Sequence, residues 1–384
     1  METIHNLIDS LPKPSSQDIS FDNFRRLYKC VPMNDWLNND ILFGTTNYIA
    51  RKRPELVDLG TRLNVQVNLF LRTIYTYSDI VLHEDDIGCF ALTESNAGVL
   101  SGLVVEVQFE EKDDHYILNS GAISKKWISQ GMFANKGLVF ASNKHNHRDC
   151  RIFLVDMTTD GITRTQMTLL PTTNALDLTE ITYTNVILPK SCVLPKTIPL
   201  SRKELLSGIF YGRLCLSEVV FNSLSEFVSF VYNKIKNIDK FKKLPQYPYI
   251  IRLNDELDKY CKQMELKRNS LLEKCDVYTI NCYKVYCVET SISIYNRIHL
   301  LFGTHAFGFG LSYDTLILNK IAEGDTSVLK LAIIKEYHMK HKYVSLRHLI
   351  GLMIYDKIGY VLRNADEMFD IIIQSDIPVL QSLK

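Results

Sequence analysis

The hydrophobic period of this chain changes twice. From residue 20 to about 85, apolar residues recur at three- and four-residue spacing in "FDNFRRLYKCV", "DWLNNDILFGTTNYIARK" and "VNLFLRTIYTYSDIVL", which predicts helices. Pro12 and Pro14 mark a loop ahead of them, and Ser20 is placed to cap the first. From about 86 to 196 the runs shorten and become β-branched or aromatic. "GLVVEVQFEEKDDHYILNS" holds two extended runs around the polar turn Lys112, Asp113 and Asp114, which reads as a hairpin. "GLVFASN", "CRIFLVDMTT" and "ITYTNVILP" continue the pattern, bounded by Gly, Asp, Asn or Pro.

After Pro199 the helical period returns and persists to the end. Long amphipathic segments with short connections predict a bundle. The chain therefore reads as α+β: an N-terminal helical domain over 1–85, a middle β-barrel or sandwich domain over 86–198, and a C-terminal helical bundle over 199–384. The most apolar segment, "LCLSEVVFNSLSEFVSFVYNKI", carries Glu218 and Glu226, which a bilayer span tolerates poorly. It reads as a buried helix, and no membrane span is expected.

With 384 residues, 46% of them hydrophobic, the chain can bury a large core. Its 44 basic and 43 acidic residues leave a net charge of +1, so no electrostatic footprint for nucleic acid exists. Nine cysteines without a CxxC pair suit free thiols in a reducing compartment. The first residues show no Arg-rich amphipathic pattern and the last four, "QSLK", are not a peroxisomal signal, so a cytoplasmic location is expected. His145 and His147 lie in a polar loop beside one cysteine and read as surface residues, leaving no metal site in view.

Three islands carry more information than the periodicity. They are "GCFALTESNAG" (88–98), "NSGAISKKWISQG" (119–131) and "FGTHAFGFGLSYDTLILNKIAEGDTSVL" (302–329). Together, in this order and in this succession of textures, they resemble the acyl-CoA dehydrogenase and acyl-CoA oxidase superfamily, with wording nearer the oxidases.

The resemblance implies FAD as cofactor, a fatty acyl-CoA as substrate, and at least a homodimer. On it, Thr93 and Gly98 border the flavin edge, Trp127 packs on the ring system, Ser129 offers a hydroxyl near N5, and Gly303 and Gly324 let backbone approach bound ligand. Glu323 matches the carboxylate that removes the α-proton of the acyl-CoA, a task that asks for burial to raise its basicity. Taken alone, each residue has a plainer reading: Trp127 as core, Glu323 as a solvated charge at a helix start, His305 as a loop side chain. The chain also departs from the family wording. Thr304 and Ala306 replace glycines, Val99 replaces a hydroxyl donor, and "KIKNIDKFKKLP" stands where an Arg-x-x-Phe-Gly segment is expected. These losses keep a second reading open, a catalytically degenerate relative retained as a scaffold or interaction protein.

Overall fold

Helices fill the start of the chain, as their period predicts. The computed structural model describes residues 1–97, 105–121, 125–167, 176–194, 207–341, 365–366, 368–370 and 372–373, and the chain divides into Met1–Gly212 and Arg213–Lys384. The first unit opens with α1 (Glu2–Ser10), α2 (Gln17–Tyr28), α3 (Asn39–Lys52) and α4 (Val57–Asn64), the last continuing through a π-helical turn (Val65–Leu71) into α5 (Arg72–Tyr77). The cap of α2 is Ser16, whose hydroxyl accepts the Ile19 N–H at 3.3 Å, and not Ser20. Ser20 is buried within the helix, donating to Asp58 and accepting from Arg62, so its hydroxyl is engaged by the core.

The π-helical turn is buried on all sides. Two of its residues meet the first strand at Gly88, whose N–H donates to Gln66 Oε1 at 2.7 Å. A Cβ at Gly88 would lie 2.0 Å from Phe70 Cγ, so only glycine fits beneath that ring.

The strands form two sheets. In the larger, β10 (Val193–Leu194), β6 (Asn146–Asp156), β5 (Lys136–Asn143), β2 (Gln108–Glu111), β3 (His115–Asn119) and β9 (Val186–Pro189) succeed one another, and β1 (Gly88–Ala91) also pairs with β5. β1 and β2 run parallel to β5 and follow each other along one of its edges, at Lys136–Val139 and then at Ser142–Asn143. β2 and β3 make the expected hairpin, closed by Lys112 N–H donating to the His115 carbonyl at 2.9 Å. The smaller sheet orders β4 (Lys126–Ser129), β8 (Leu178–Tyr183) and β7 (Ile162–Met167), all antiparallel. Phe109, Tyr116, Phe153 and Ile181 anchor the core of this β region.

One buried ion pair ties α4 to the β region. The Arg62 guanidinium meets the Asp177 carboxylate at 2.8 Å with both side chains fully buried, and Asp177 accepts the N–H of Met132 as well. The turn that follows β4 is thus fixed from the helical side.

The second unit is the predicted bundle. It takes most of α6 (Ser207–Ile235), then α7 (Asp239–Lys242), α8 (Tyr247–Glu273), α9 (Val277–Phe302), α10 (Tyr313–Ile321) and α11 (Thr326–His341). Phe221, Leu224, Tyr260, Cys287 and Ile298 lie in its core. Ile209–Ile235 is long and apolar enough to cross a bilayer, yet most of it is buried inside the protein. Glu218 on that helix is taken up bidentately by Arg268 of α8, at 2.8 and 2.6 Å. Most of the chain after residue 341, where the helical period continues to the end, lies outside the described residues. All nine cysteines are free.

Candidate active site

Two of the three islands lie side by side. Residues 93–95 run antiparallel to 125–127: Trp127 N–H donates to the Thr93 carbonyl at 3.1 Å and Ser95 N–H to the Lys125 carbonyl at 2.7 Å, around a bridge between Glu94 and Lys126. Side chains alternate across an extended strand, so residues opposite one another share a face. Lys126 and Ile128 turn inward, as does Glu94, while Thr93, Trp127 and Ser129 share the outward face of the smaller sheet. Trp127 keeps 37% of its surface exposed, which removes it from the core.

Opposite Trp127 in the register stands Glu180. Its carboxylate accepts the indole N–H at 3.2 Å and the Lys125 ammonium at 2.6 Å. Those two donors, Lys125 first, hold the Glu180 carboxyl below its ordinary pKa. The outward face therefore presents an aromatic plane, two hydroxyls and a paired charge.

Beneath it the inward face carries a charge pair that the sequence reading did not single out. Lys126 Nζ donates to Glu94 Oε1 at 2.5 Å and to the Leu92 carbonyl at 3.1 Å, with both ionic side chains fully buried. The same Glu94 oxygen accepts the N–H groups of Glu106 and Val107, at 3.0 and 3.1 Å. Burial pushes the Lys126 ammonium down from its ordinary pKa and the Glu94 carboxylate works against that shift. Gly98 lies outside the described residues.

In the second unit, Gly303 ends α9 at positive φ, +53°, and among the described residues no atom beyond its neighbours along the chain lies within 4 Å of where its Cβ would be. His305 meets the Phe241 ring edge-on at 5.0 Å and is a packed loop side chain. Glu323 and Gly324 form the turn between α10 and α11, with φ of +57° and +101°. A non-glycine residue in this region is strained, and persists where its surroundings over-determine it.

Those surroundings are two cations. Arg213 Nε donates to the Glu323 carbonyl at 2.7 Å while its Nη1 donates to Asn281 Oδ1 at 2.8 Å. Lys284, fully buried on α9, donates to the carbonyls of Lys320 at 3.0 Å and Gly324 at 2.7 Å. At Gly324 a Cβ would stand 3.0 Å from Arg213 Nη2, so glycine is favoured there by contact as well as by φ. Desolvation lowers Arg213 to about 10, against the attraction of Glu323, so it stays cationic at neutral pH. The Glu323 side chain is half-buried.

The segment expected to reach a phosphate, 234–245, forms the end of α6 and the short α7. Lys234 donates to the Phe307 carbonyl at 2.9 Å, and Lys242 pairs with Asp239 at 3.1 Å on the surface. His145, in the β5–β6 turn, and His147, at the start of β6, are exposed, and no group of three or more metal-ligating side chains occurs among the described residues.

Residues 89–186 match the family described as acyl-CoA dehydrogenase, middle domain. The short-chain-specific acyl-CoA dehydrogenase of Clostridium acetobutylicum is 24% identical over 265 residues, 65% of this chain and 68% of that protein. Glutaryl-CoA dehydrogenase from Mycobacterium smegmatis is similar in structure, with a TM-score of 0.67 at 16% identity over 90% of this chain and 94% of that one. Butyryl-CoA dehydrogenase from Megasphaera elsdenii gives 0.67 at 15% identity, over 86% and 95%. The FAD complex of PigA gives 0.71 at 15% identity, over 88% and 96%.

Proposed function

We propose that this chain, which has the acyl-CoA dehydrogenase fold and that family's middle domain, is a flavoprotein that dehydrogenates a fatty acyl-CoA between its α- and β-carbons. The observation that carries this reading is the shared outward face of Thr93, Trp127 and Ser129. An exposed indole flanked by hydroxyls fits a planar heterocycle with a polar edge, and fits a soluble strand poorly otherwise. FAD, when bound, supplies the acceptor for the hydride that leaves the β-carbon.

The chain's own residues do the rest. Trp127 and the backbone beside Thr93 support the ring and exclude water from one side; Ser129 donates a hydroxyl to its edge; Gly303 leaves room for ligand, while Gly324 makes room for Arg213 beside the turn that carries Glu323. Glu323 is the base, its carboxylate oxygen taking the α-proton as the carbon–carbon double bond forms. The "GCFALTE" and "EGD" wording supports oxygen as the final acceptor.

One observation favours the second reading, a retained fold without turnover: Glu180 holds the Trp127 indole N–H and places a carboxylate on the face meant for the ring. The spectrum of the purified protein separates the two. Flavin absorbance that co-migrates with the protein after incubation with FAD, and bleaches on adding acyl-CoA, supports the enzyme; peroxide release then identifies the oxidase. A folded protein that stays colourless refutes it.

A further inference from the structure

We propose that Lys284 is a positioning residue for Glu323, acting through the backbone on either side of it. A single buried ammonium spans Lys320 and Gly324, three residues before Glu323 and one after it, while Arg213 takes the carbonyl of Glu323 itself. Three carbonyls of one short segment are thus held by two cations from two helices, α6 and α9. The turn so held contains a non-glycine residue at positive φ. Without its donors the segment has no reason to keep that conformation, and the direction of the Glu323 side chain follows from its φ.

A lysine is suited to this task in a way that an apolar residue is not. Its Nζ can serve both carbonyls, and its burial leaves no alternative partner in water. Around it stand Arg213 from α6, Glu289 on its own helix, which also pairs with Lys330 of α11, and Glu323 and Asp325 in the turn; the three carboxylates oppose desolvation and Arg213 without outweighing them. The part assigned to Glu323 rests on the proposed dehydrogenase reading; the clamp on the turn does not.

The test uses the full chain as Lys284→Met, which keeps length and removes the donor, with Lys284→Gln as a shorter arm that retains an NH2 group. Hydrogen exchange at the amides of residues 321–325 is compared with wild type. Loss of the clamp accelerates it by on the order of tenfold or more in Lys284→Met, with part of the protection returning in Lys284→Gln. In FAD-loaded protein, flavin reduction at saturating acyl-CoA falls on the order of a hundredfold, as a misplaced base requires, while acyl-CoA affinity changes little. Unchanged exchange at 321–325 overturns the proposal, whether or not the protein takes up FAD. Faster exchange with an unchanged reduction rate overturns the positioning of Glu323. Wild-type protein that no acyl-CoA reduces overturns the dehydrogenase reading and leaves the exchange result to decide the clamp. Should Lys284→Met not fold, Lys284→Gln carries the same two measurements against wild type.

Discussion

Replacing Lys126 by methionine isolates the largest electrostatic term under the proposed ring-binding face. The substitution keeps the length of the side chain, fills the same volume, and deletes one ammonium that donates to Glu94 and to the Leu92 carbonyl. Glu94 keeps the two backbone N–H groups of Glu106 and Val107 but loses its counter-charge in a fully buried position. Breaking one side of a buried pair costs about 3–5 kcal/mol, because the remaining charge is left uncompensated. Lys126 is already strained toward neutrality by burial, which argues for the lower half of that range. In a cooperative unit of roughly 200 residues, about 3 kcal/mol lowers Tm by roughly 6–12 °C. Scanning calorimetry reads this directly. The double variant Glu94→Gln, Lys126→Met should recover most of the loss, since the amide oxygen still accepts both N–H groups and no charge remains. A single variant that loses under about 1 kcal/mol, or a double variant as unstable as the single, would mean that the pair is not a buried ion pair holding 93–95 against 125–127.

Three further outcomes are expected. Glu323→Gln should bind FAD as wild type does yet slow flavin reduction by acyl-CoA by about two orders of magnitude or more in a stopped-flow assay. Trp127→Ala should cost about 1–2 kcal/mol of stability, because the indole is only partly exposed and donates to Glu180, while weakening FAD binding by roughly tenfold, read by equilibrium dialysis. Lys284 is depressed to about 7, first by desolvation and then by Arg213, from an ordinary 10.5. Between those values the unfolded chain binds the extra proton, so this residue's contribution to stability rises as pH increases from about 7 toward 10; the Tm gap between wild type and Lys284→Met should widen over that interval.

The succession of helix, strand and helix was legible because period 3.6 and period 2 differ plainly in this chain, and the hairpin at Lys112–Asp114 because its turn is polar between two extended runs. Alternation also held the key to the paired islands. Once "KWIS" is a strand, Trp127 and Ser129 share one face and Lys126 follows Ile128 to the other. Lys126 stands beside another lysine, a setting that reads as solvated; Ile128 two positions on is the signal that it is not. The Ser20 cap failed for a related reason, since a serine favours caps only where the core makes no claim on its hydroxyl. Arg213 and Lys284 lie 110 and 39 positions from Glu323, and nothing local links them to it. The single hint was a lysine inside the apolar run "INCYKVYCV", an expensive placement in a helix that faces a core.

The close fit at Gly88 bears on how this protein can be altered. Phe70 reaches the strand where a side chain would stand, and Gln66 takes the N–H of the same glycine. Gln130, three positions after Trp127 and one after Ser129, donates to the Gly88 carbonyl at 2.9 Å. One residue without a side chain is thus gripped from the helices before it and from the turn behind the proposed ring-binding strand. Exchange of segments between relatives succeeds at joints where few matched contacts cross, and this is the opposite kind of place. A graft of another protein's helices onto these strands must bring its own residues 66 and 70 together with a compatible 88, and recombination that separates them produces chains that fail at the first strand. The helical beginning and the sheet must therefore be exchanged as one piece.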